Sequence, residues 1–161
     1  MSGSGETHDR QPIVETTADS PAAMQAVIEL RRIVFGNEQH ILLSRYDDPE
    51  DRFSLNLLAS IGADAVGTGR LTPPYDRAAV ATITWVATLP AFRNRGVGSA
   101  IVQALIDEAD ARGYDTVYLN AQAHALGLYL THGFRPVGQP QTIHGIPHQA
   151  MIRQHPNLGR A

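Results

Sequence analysis

Cysteine is absent from the 161-residue sequence, and this absence excludes disulfide bonds, thiolate metal ligands and a thiol nucleophile. Long apolar runs are absent too, because nowhere do about 18 apolar residues follow one another, as a membrane-spanning helix requires. The opening stretch MSGSGETHDRQ is polar where a secretion signal would carry an apolar core. We therefore expect a cytoplasmic protein that does not act at a membrane.

An excess of basic residues is also missing. Thirteen Lys and Arg residues stand against 16 Asp and Glu residues, for a formal net charge of -3, so there is no general positive field for binding nucleic acid. The sequence does have 43% hydrophobic residues, enough for one domain with a core. We predict a disordered polar tail over residues 1–11, a single folded domain over residues 12–154 and a second tail over residues 155–161.

The first half of the predicted domain mixes one helix with several strands. Ser20 followed by Pro21 is typical of a helix start, and apolar residues at helical spacing continue this helix until Gly36. The acidic stretch RYDDPED then indicates a solvated loop. Two apolar stretches on either side of Gly62 are typical of a β-hairpin, and the β-branched stretch AVATITWVAT predicts a further strand.

The most regular pattern follows Gly96. Apolar residues recur there at helical spacing until Gly113, which is placed as a helix cap would be; they are Val97, Ile101, Val102, Leu105, Ile106 and Ala109. A strand (DTVYLNA), a short helix that stops at Gly133 and two final strands (FRPVG and HQAMIRQ) complete the predicted order. Because helices connect only some of the strands, we predict an α/β (α+β) fold with a largely antiparallel central sheet and flanking helices.

The glycine-rich stretch RNRGVGSA, from Arg93 to Ala100, comes directly before this helix. Backbone N–H groups at a helix start attract an anion, and glycine lets the anion approach closely. A P-loop would need a lysine after the last glycine, and a dinucleotide fingerprint would need a small residue where Ile101 stands. The pattern R-x-x-G-x-G fits a pyrophosphate-binding loop, and a turn that only caps the helix is the alternative.

Two motifs in sequence order carry a resemblance to a known family. The stretch WVATLPAFRNRGVGSAIVQAL and, downstream, AHALGLYLTHGF together resemble the GNAT superfamily of acyl-CoA-dependent N-acetyltransferases. The stretches VFGNEQ, LNAQAHA, GFRPVG and GIPHQAM are similar to the bacterial ElaA-like branch of that superfamily. The resemblance implies a GNAT fold with a splayed pair of strands at the CoA site, acetyl-CoA as the acyl donor and no metal.

The resemblance also implies which residues bind CoA. The glycine loop is expected to hold the pyrophosphate through its backbone amides, and the strand before it to bind pantetheine and the thioester carbonyl. Polar residues before the short helix are expected to bond pantetheine or to cap that helix. The loop residues are Arg93, Asn94, Arg95, Gly96, Val97, Gly98 and Ser99, the strand residues are Val86, Ala87 and Thr88, and the polar residues are Asn120 and Gln122.

Catalysis is expected to depend on Tyr129, which matches the superfamily's usual general acid and would protonate the departing CoA thiolate while contacting CoA. Glu38 is the first candidate for the general base, with His124, His144 and His148 as alternatives. The acceptor is predicted to be a small-molecule or peptide amine that attacks the thioester directly, since no cysteine can carry the acyl group. A non-catalytic acyl-CoA-binding module is the alternative function. The oligomeric state stays open, with a homodimer as one option.

Overall fold

Eight strands and three α-helices make up the part of the chain that the computed structural model describes, residues 11–75 and 79–157. The helices are α1 (Pro21–Arg31), α2 (Val97–Ala111) and α3 (Leu126–Thr131). The strands are β1 (Ile13–Thr17), β2 (Leu55–Ile61), β3 (Asp64–Thr72), β4 (Val80–Thr88), β5 (Thr116–Gln122), β6 (Arg135–Pro136), β7 (Gln141–Ile143) and β8 (Ile146–Gln154). They form one sheet in the order β1-β2-β3-β4-β5-β8-β6, with β7 paired to β8. The predicted mixed fold is confirmed.

The sheet opens between β4 and β5. These two strands are parallel and pair only from Val80 to Thr82 of β4, whereas the other pairings among the described strands are antiparallel. Further along β4 the register with β3 shifts at a β-bulge, where Trp85 has a left-handed φ of 58° opposite Gly69. A bulge bends its strand, so β4 separates from β5 beyond Thr82 and forms the predicted splay.

Helix α2 packs directly on β3. Its six predicted apolar residues are all buried, as expected. Glycines on β3 make the close contact possible, because a Cβ added at Gly67 or at Gly69 would lie 2.7 Å from a side-chain carbon of Ile101. At the helix start, a Cβ added at Gly98 would lie 3.8 Å from Thr88 Oγ1. The N-terminus of α2 therefore lies beside the end of β4, next to the splay.

Helix α1 begins as predicted, with the Ser20 hydroxyl accepting a hydrogen bond from the Ala23 amide at 3.1 Å. The α-helix ends at Arg31, but the helical segment continues as a π-helix over Arg32–Glu38 and so passes the predicted end at Gly36 by two residues. A π-helix bonds each amide to the carbonyl five residues back and is wider than an α-helix; the Gln39 amide and the Val34 carbonyl form such a bond at 3.1 Å. The helical segment thus extends toward the open side of the sheet.

Two short strands, β1 and β7, are not indicated by the sequence pattern. Both lie at the margins of the sheet, where β1 pairs with β2 and β7 pairs with β8. The predicted tails fall mostly outside the described residues, and within them the His155 amide still donates to the Asp115 carbonyl at 2.8 Å. None of the described helices has the length and apolar character needed to cross a membrane.

Candidate active site

Two cavities meet at the splayed part of β4. The first, which we call the loop cavity, has a volume of about 400 Å³ and is lined by the glycine loop, the end of β4 and α3. The second, the strand cavity, has a volume of about 380 Å³ and lies between β4 and β5. Val86, Ala125 and Tyr129 line both cavities. The two cavities are therefore adjacent and share these three residues as a wall.

A larger hollow of about 720 Å³ lies elsewhere, between the start of α1 and residues 47–56. It contains none of the residues that the sequence assigns to the site. The volume of a cavity therefore does not identify the candidate active site.

Most of the predicted CoA-binding residues line the loop cavity: Val86, Ala87, Thr88, Arg93, Asn94, Gly96, Val97, Gly98, Ser99 and Tyr129. Asn120 and Gln122 line the strand cavity instead. Arg95 lies at neither cavity, and its guanidinium stacks over the Phe92 ring, 5.3 Å from the ring centroid. The structure thus brings ten of the predicted residues to one cavity, while their role in binding CoA stays a prediction.

The N-terminus of α2 faces the loop cavity with unused backbone donors. Gly96 precedes the helix with a φ of 83°, a conformation that glycine adopts without strain. The first turn is closed by the Ala100 amide donating to the Gly96 carbonyl at 3.0 Å. The amides of Val97, Gly98 and Ser99 therefore have no acceptor in their own helix. Together with the helix dipole they form a site suited to a phosphate oxygen.

Arg93 and Glu38 form an ion pair at the edge of the loop cavity. The Arg93 guanidinium donates to both Glu38 carboxylate oxygens, at 2.5 and 2.7 Å, and to the Thr88 carbonyl at 3.1 Å. The hydrogen bonds from Arg93 lower the pKa of Glu38 against the opposing effect of burial. Glu38 itself lines neither cavity. The role of Glu38 as general base stays a prediction. In the structure its carboxylate binds the Arg93 guanidinium.

Tyr129 is buried between the two cavities, with 7% of its surface exposed. Its ring packs edge-on against Phe134, with the ring centroids 5.8 Å apart. Among the described residues, no group forms a hydrogen bond with the Tyr129 hydroxyl. Burial raises the pKa of Tyr129 to about 12, so the phenol is protonated at neutral pH and has a proton to give.

Aromatic side chains form much of the strand cavity wall. Phe35 from the π-helix packs edge-on against Trp85, with ring centroids 5.3 Å apart, and Tyr118 lines the same cavity. Across the splay, Gln39 and Gln122 exchange two side-chain hydrogen bonds of 3.0 and 2.6 Å. This amide pair joins the end of the π-helix to the end of β5. A polar residue after a helix carries no distinguishing signal, so the sequence does not indicate the role of Gln39.

The acidic stretch before β2 is only in part the solvated loop that the sequence indicates, because Arg45 and Asp47 pair at the surface whereas Asp51 is largely buried. Asp51 accepts two hydrogen bonds from the Arg31 guanidinium, at 2.9 and 3.0 Å, and one from Arg70 at 3.0 Å. Arg31 is fully buried and Arg70 is 3% exposed. At Asp51 the prediction was wrong, because nothing within this stretch shows that buried arginines from α1 and β3 bind it.

A sequence signal for this buried network does exist. Arg31 lies four residues after Val27 and three before Val34, on the buried face of the helix. A charged residue on an apolar face needs a buried partner. Burial alone would raise the pKa of Asp51, but the hydrogen bonds and charges of its arginine partners outweigh burial and lower this pKa.

The structure thus has the features expected of the class of acyl-CoA-dependent acyltransferases that the motifs resemble: a splayed parallel pair, a glycine loop that opens a helix beside it, and a cavity that they enclose. The sequence matches the model of the acetyltransferase (GNAT) family over residues 24–134, and the chain belongs to this family. The resemblance stated from the motifs is thereby confirmed.

The similar proteins include members of the ElaA-like branch. ElaA of Escherichia coli is 28% identical over 137 residues, 84% of this chain and 90% of that protein. Its crystal structure has a TM-score of 0.77 and covers 89% of this chain and 99% of its own. The UPF0039 protein sll0451 of Synechocystis is 35% identical over 143 residues, 87% of this chain and 92% of that protein. The [ribosomal protein bS18]-alanine N-acetyltransferase of Salmonella typhimurium is 29% identical over 130 residues, 74% of this chain and 76% of that protein.

Proposed function

We propose that this protein transfers the acetyl group of acetyl-CoA directly to an amine. The observation that carries the proposal is the position of Tyr129, which lines both the loop cavity and the strand cavity. A thioester held in the first cavity and an amine held in the second would meet beside its hydroxyl. One relative is named as an alanine N-acetyltransferase, which supports an amine as acceptor.

The donor would bind through backbone groups. The free amides of Val97, Gly98 and Ser99 suit the pyrophosphate. Arg93 lies at the loop edge, where Glu38 offsets its charge. Beyond Thr82, the edge of β4 that faces β5 has no strand partner among the described residues. Backbone groups on that edge, near Val86, are available to the amides of pantetheine and to the thioester carbonyl. A preorganised amide at that carbonyl would stabilise the negative charge that develops during attack.

Tyr129 would act as the general acid. When the amine nitrogen bonds to the carbonyl carbon and the carbon–sulfur bond breaks, the sulfur takes the electron pair and the Tyr129 hydroxyl gives it a proton. The Tyr129 phenol is protonated at neutral pH and so has this proton to supply. A positioned proton donor of this kind accelerates a reaction by about 10²–10⁴-fold.

The test combines binding with transfer. Acetyl-CoA binding is measured by calorimetry, and a panel of small amines and peptides is screened for acetylation by mass spectrometry. We expect Tyr129→Phe to leave acetyl-CoA affinity unchanged and to lower kcat about 10²-fold or more. Binding without any transfer in the wild-type protein would favour a non-catalytic acyl-CoA-binding module, and equal transfer by Tyr129→Phe would remove the acid role.

A further inference from the structure

His148 lines the strand cavity together with Tyr129. It lies in β8, directly opposite Gln122 of the neighbouring strand β5, and its side chain is partly buried. The splay, α3 and β8 thus bring an imidazole to the cavity in which the proposed function seats the amine.

The ring orientation of His148 fixes which nitrogen is free. Its Nδ1 atom lies 2.7 Å from the Ile146 carbonyl oxygen. A carbonyl oxygen only accepts hydrogen bonds, so Nδ1 must carry the proton. In the neutral ring Nε2 then has an unprotonated lone pair, and no group in the described residues forms a hydrogen bond with it. This is the arrangement that a proton acceptor requires.

The other candidate bases are placed differently. Glu38 is held by Arg93 and lines neither cavity. His124 lines the loop cavity, on the donor side. His144 is exposed on the turn between β7 and β8 and also lines neither cavity. Asp48 does reach the strand cavity, but its carboxylate pairs with Arg70 at 3.4 Å.

We propose that His148 is the general base of the transfer reaction, an inference that rests on the proposed function. The amine nitrogen forms a bond to the thioester carbonyl carbon and loses a proton to His148 Nε2. The carbon–sulfur bond breaks, the sulfur takes the electron pair, and Tyr129 supplies its proton. The products are the acetylated amine and CoA thiol. A proton passed from the imidazolium to the phenolate, both in the same cavity, restores the starting state.

The first experiment determines which ring nitrogen of His148 carries the proton in the free enzyme. It needs no acceptor amine. Long-range proton–nitrogen correlation spectra of the imidazole rings are recorded at a pH where His148 is neutral. We expect the His148 ring to carry its proton on Nδ1 and to have a bare Nε2. A ring protonated on Nε2 would overturn the proposal, since its lone pair would then lie on Nδ1, the atom beside the Ile146 carbonyl.

The second experiment removes Nε2 while keeping the hydrogen bond to Ile146. In His148→Asn the side-chain amide takes the place of Nδ1 and can still donate to that carbonyl, so the β7–β8 turn is preserved. The matched control is His144→Asn on the turn that precedes β8, outside both cavities. Release of CoA thiol from acetyl-CoA is followed first with water as the only nucleophile, and then with any amine that the screen identifies. The absence of cysteine means that a thiol reagent detects only CoA.

We expect His148→Asn to lower kcat about 10²-fold or more, with the KM for acetyl-CoA unchanged, and His144→Asn to match the wild type. Imidazole added to His148→Ala is expected to restore part of the rate, and to restore none to Tyr129→Phe. Equal kcat values for wild type and His148→Asn would refute the base role alone. If the wild type binds acetyl-CoA but neither hydrolyses nor transfers its acetyl group, the proposed function fails, and the base role fails with it.

Discussion

Replacing Asp51 with asparagine should destabilise the protein strongly. The Asp51 carboxylate is 10% exposed and accepts hydrogen bonds from the Arg31 and Arg70 guanidinium groups and, at 2.9 Å, from the Asp48 amide. An asparagine side chain in its place would present one oxygen acceptor and no charge. Arg31, which is fully buried, would then lose its carboxylate partner altogether.

The burial of Arg31 determines how much the free energy of unfolding should fall. Breaking a buried ion pair by removing one partner costs about 3–5 kcal/mol, because the remaining charge stays out of water. The amide oxygen of asparagine can still accept one hydrogen bond, so we expect a loss near the lower end, about 3 kcal/mol. That is a large part of the roughly 5–15 kcal/mol by which small domains are stable.

Urea unfolding of wild type and Asp51→Asn at neutral pH measures this loss. Asp47→Asn is the matched control, since Asp47 forms a solvent-exposed pair with Arg45, and we expect its urea midpoint to equal that of the wild type. A loss below about 1 kcal/mol, typical of a surface pair, would show that the network contributes little.

The pH dependence of the free energy of unfolding gives a second check on the role of Asp51. The folded protein lowers the pKa of Asp51 below its ordinary value of 3.8. The carboxylate's contribution to stability is therefore fully present above that value and is lost as the pH falls through the lowered folded pKa. The stability gap between wild type and Asp51→Asn should stay constant near neutral pH and narrow below about pH 4. A gap that widens in acid would contradict the assignment.

Two further substitutions separate donor binding from catalysis. A side chain at Gly98 would enter the loop cavity, where a Cβ would already lie 3.4 Å from Leu128 Cδ2, so we expect Gly98→Val to weaken acetyl-CoA binding tenfold or more by calorimetry. Gly127→Val, where a Cβ would meet nothing within 4 Å, is its control and should bind normally. Glu38→Gln should release Arg93 to bind phosphate. We expect kcat to stay unchanged and the Kd for acetyl-CoA to stay equal or fall. A hundredfold fall in kcat would instead favour Glu38 as the general base.

The parts of the fold that sequence predicts best are those whose own pattern determines their packing. Helix α2 is the example, because its apolar residues repeat at the helical period and all become buried on β3. Strand β1 shows the opposite case, since it is short, lies at the sheet margin and owes its conformation to hydrogen bonds with β2. Such pairing depends on a partner distant in sequence, which a local pattern does not record.

In the candidate site, too, some features could be predicted from the local sequence and others could not. The place of the glycine loop at the start of α2 could be predicted, because the apolar pattern that follows it marks where the helix begins. The position of Glu38 could not, because it depends on where the π-helix places the residues that follow Phe35. For His148, the residue type suggested a base, but only the hydrogen bond to Ile146 and the cavity shared with Tyr129 distinguish it from the other histidines.

The π-helix at Arg32–Glu38 makes the two cavities sensitive to chain length. A π-helical turn accommodates one more residue than an α-helical turn, and successive residues of an α-helix are rotated by about 100° around its axis. Deleting one residue here would let the segment become α-helical and would turn Gln39 away from Gln122. Side chains that now contribute to the site would then point elsewhere without any of them being substituted. The number of residues in this segment, as much as their identity, is therefore the variable to follow when acceptor preferences of related chains are compared.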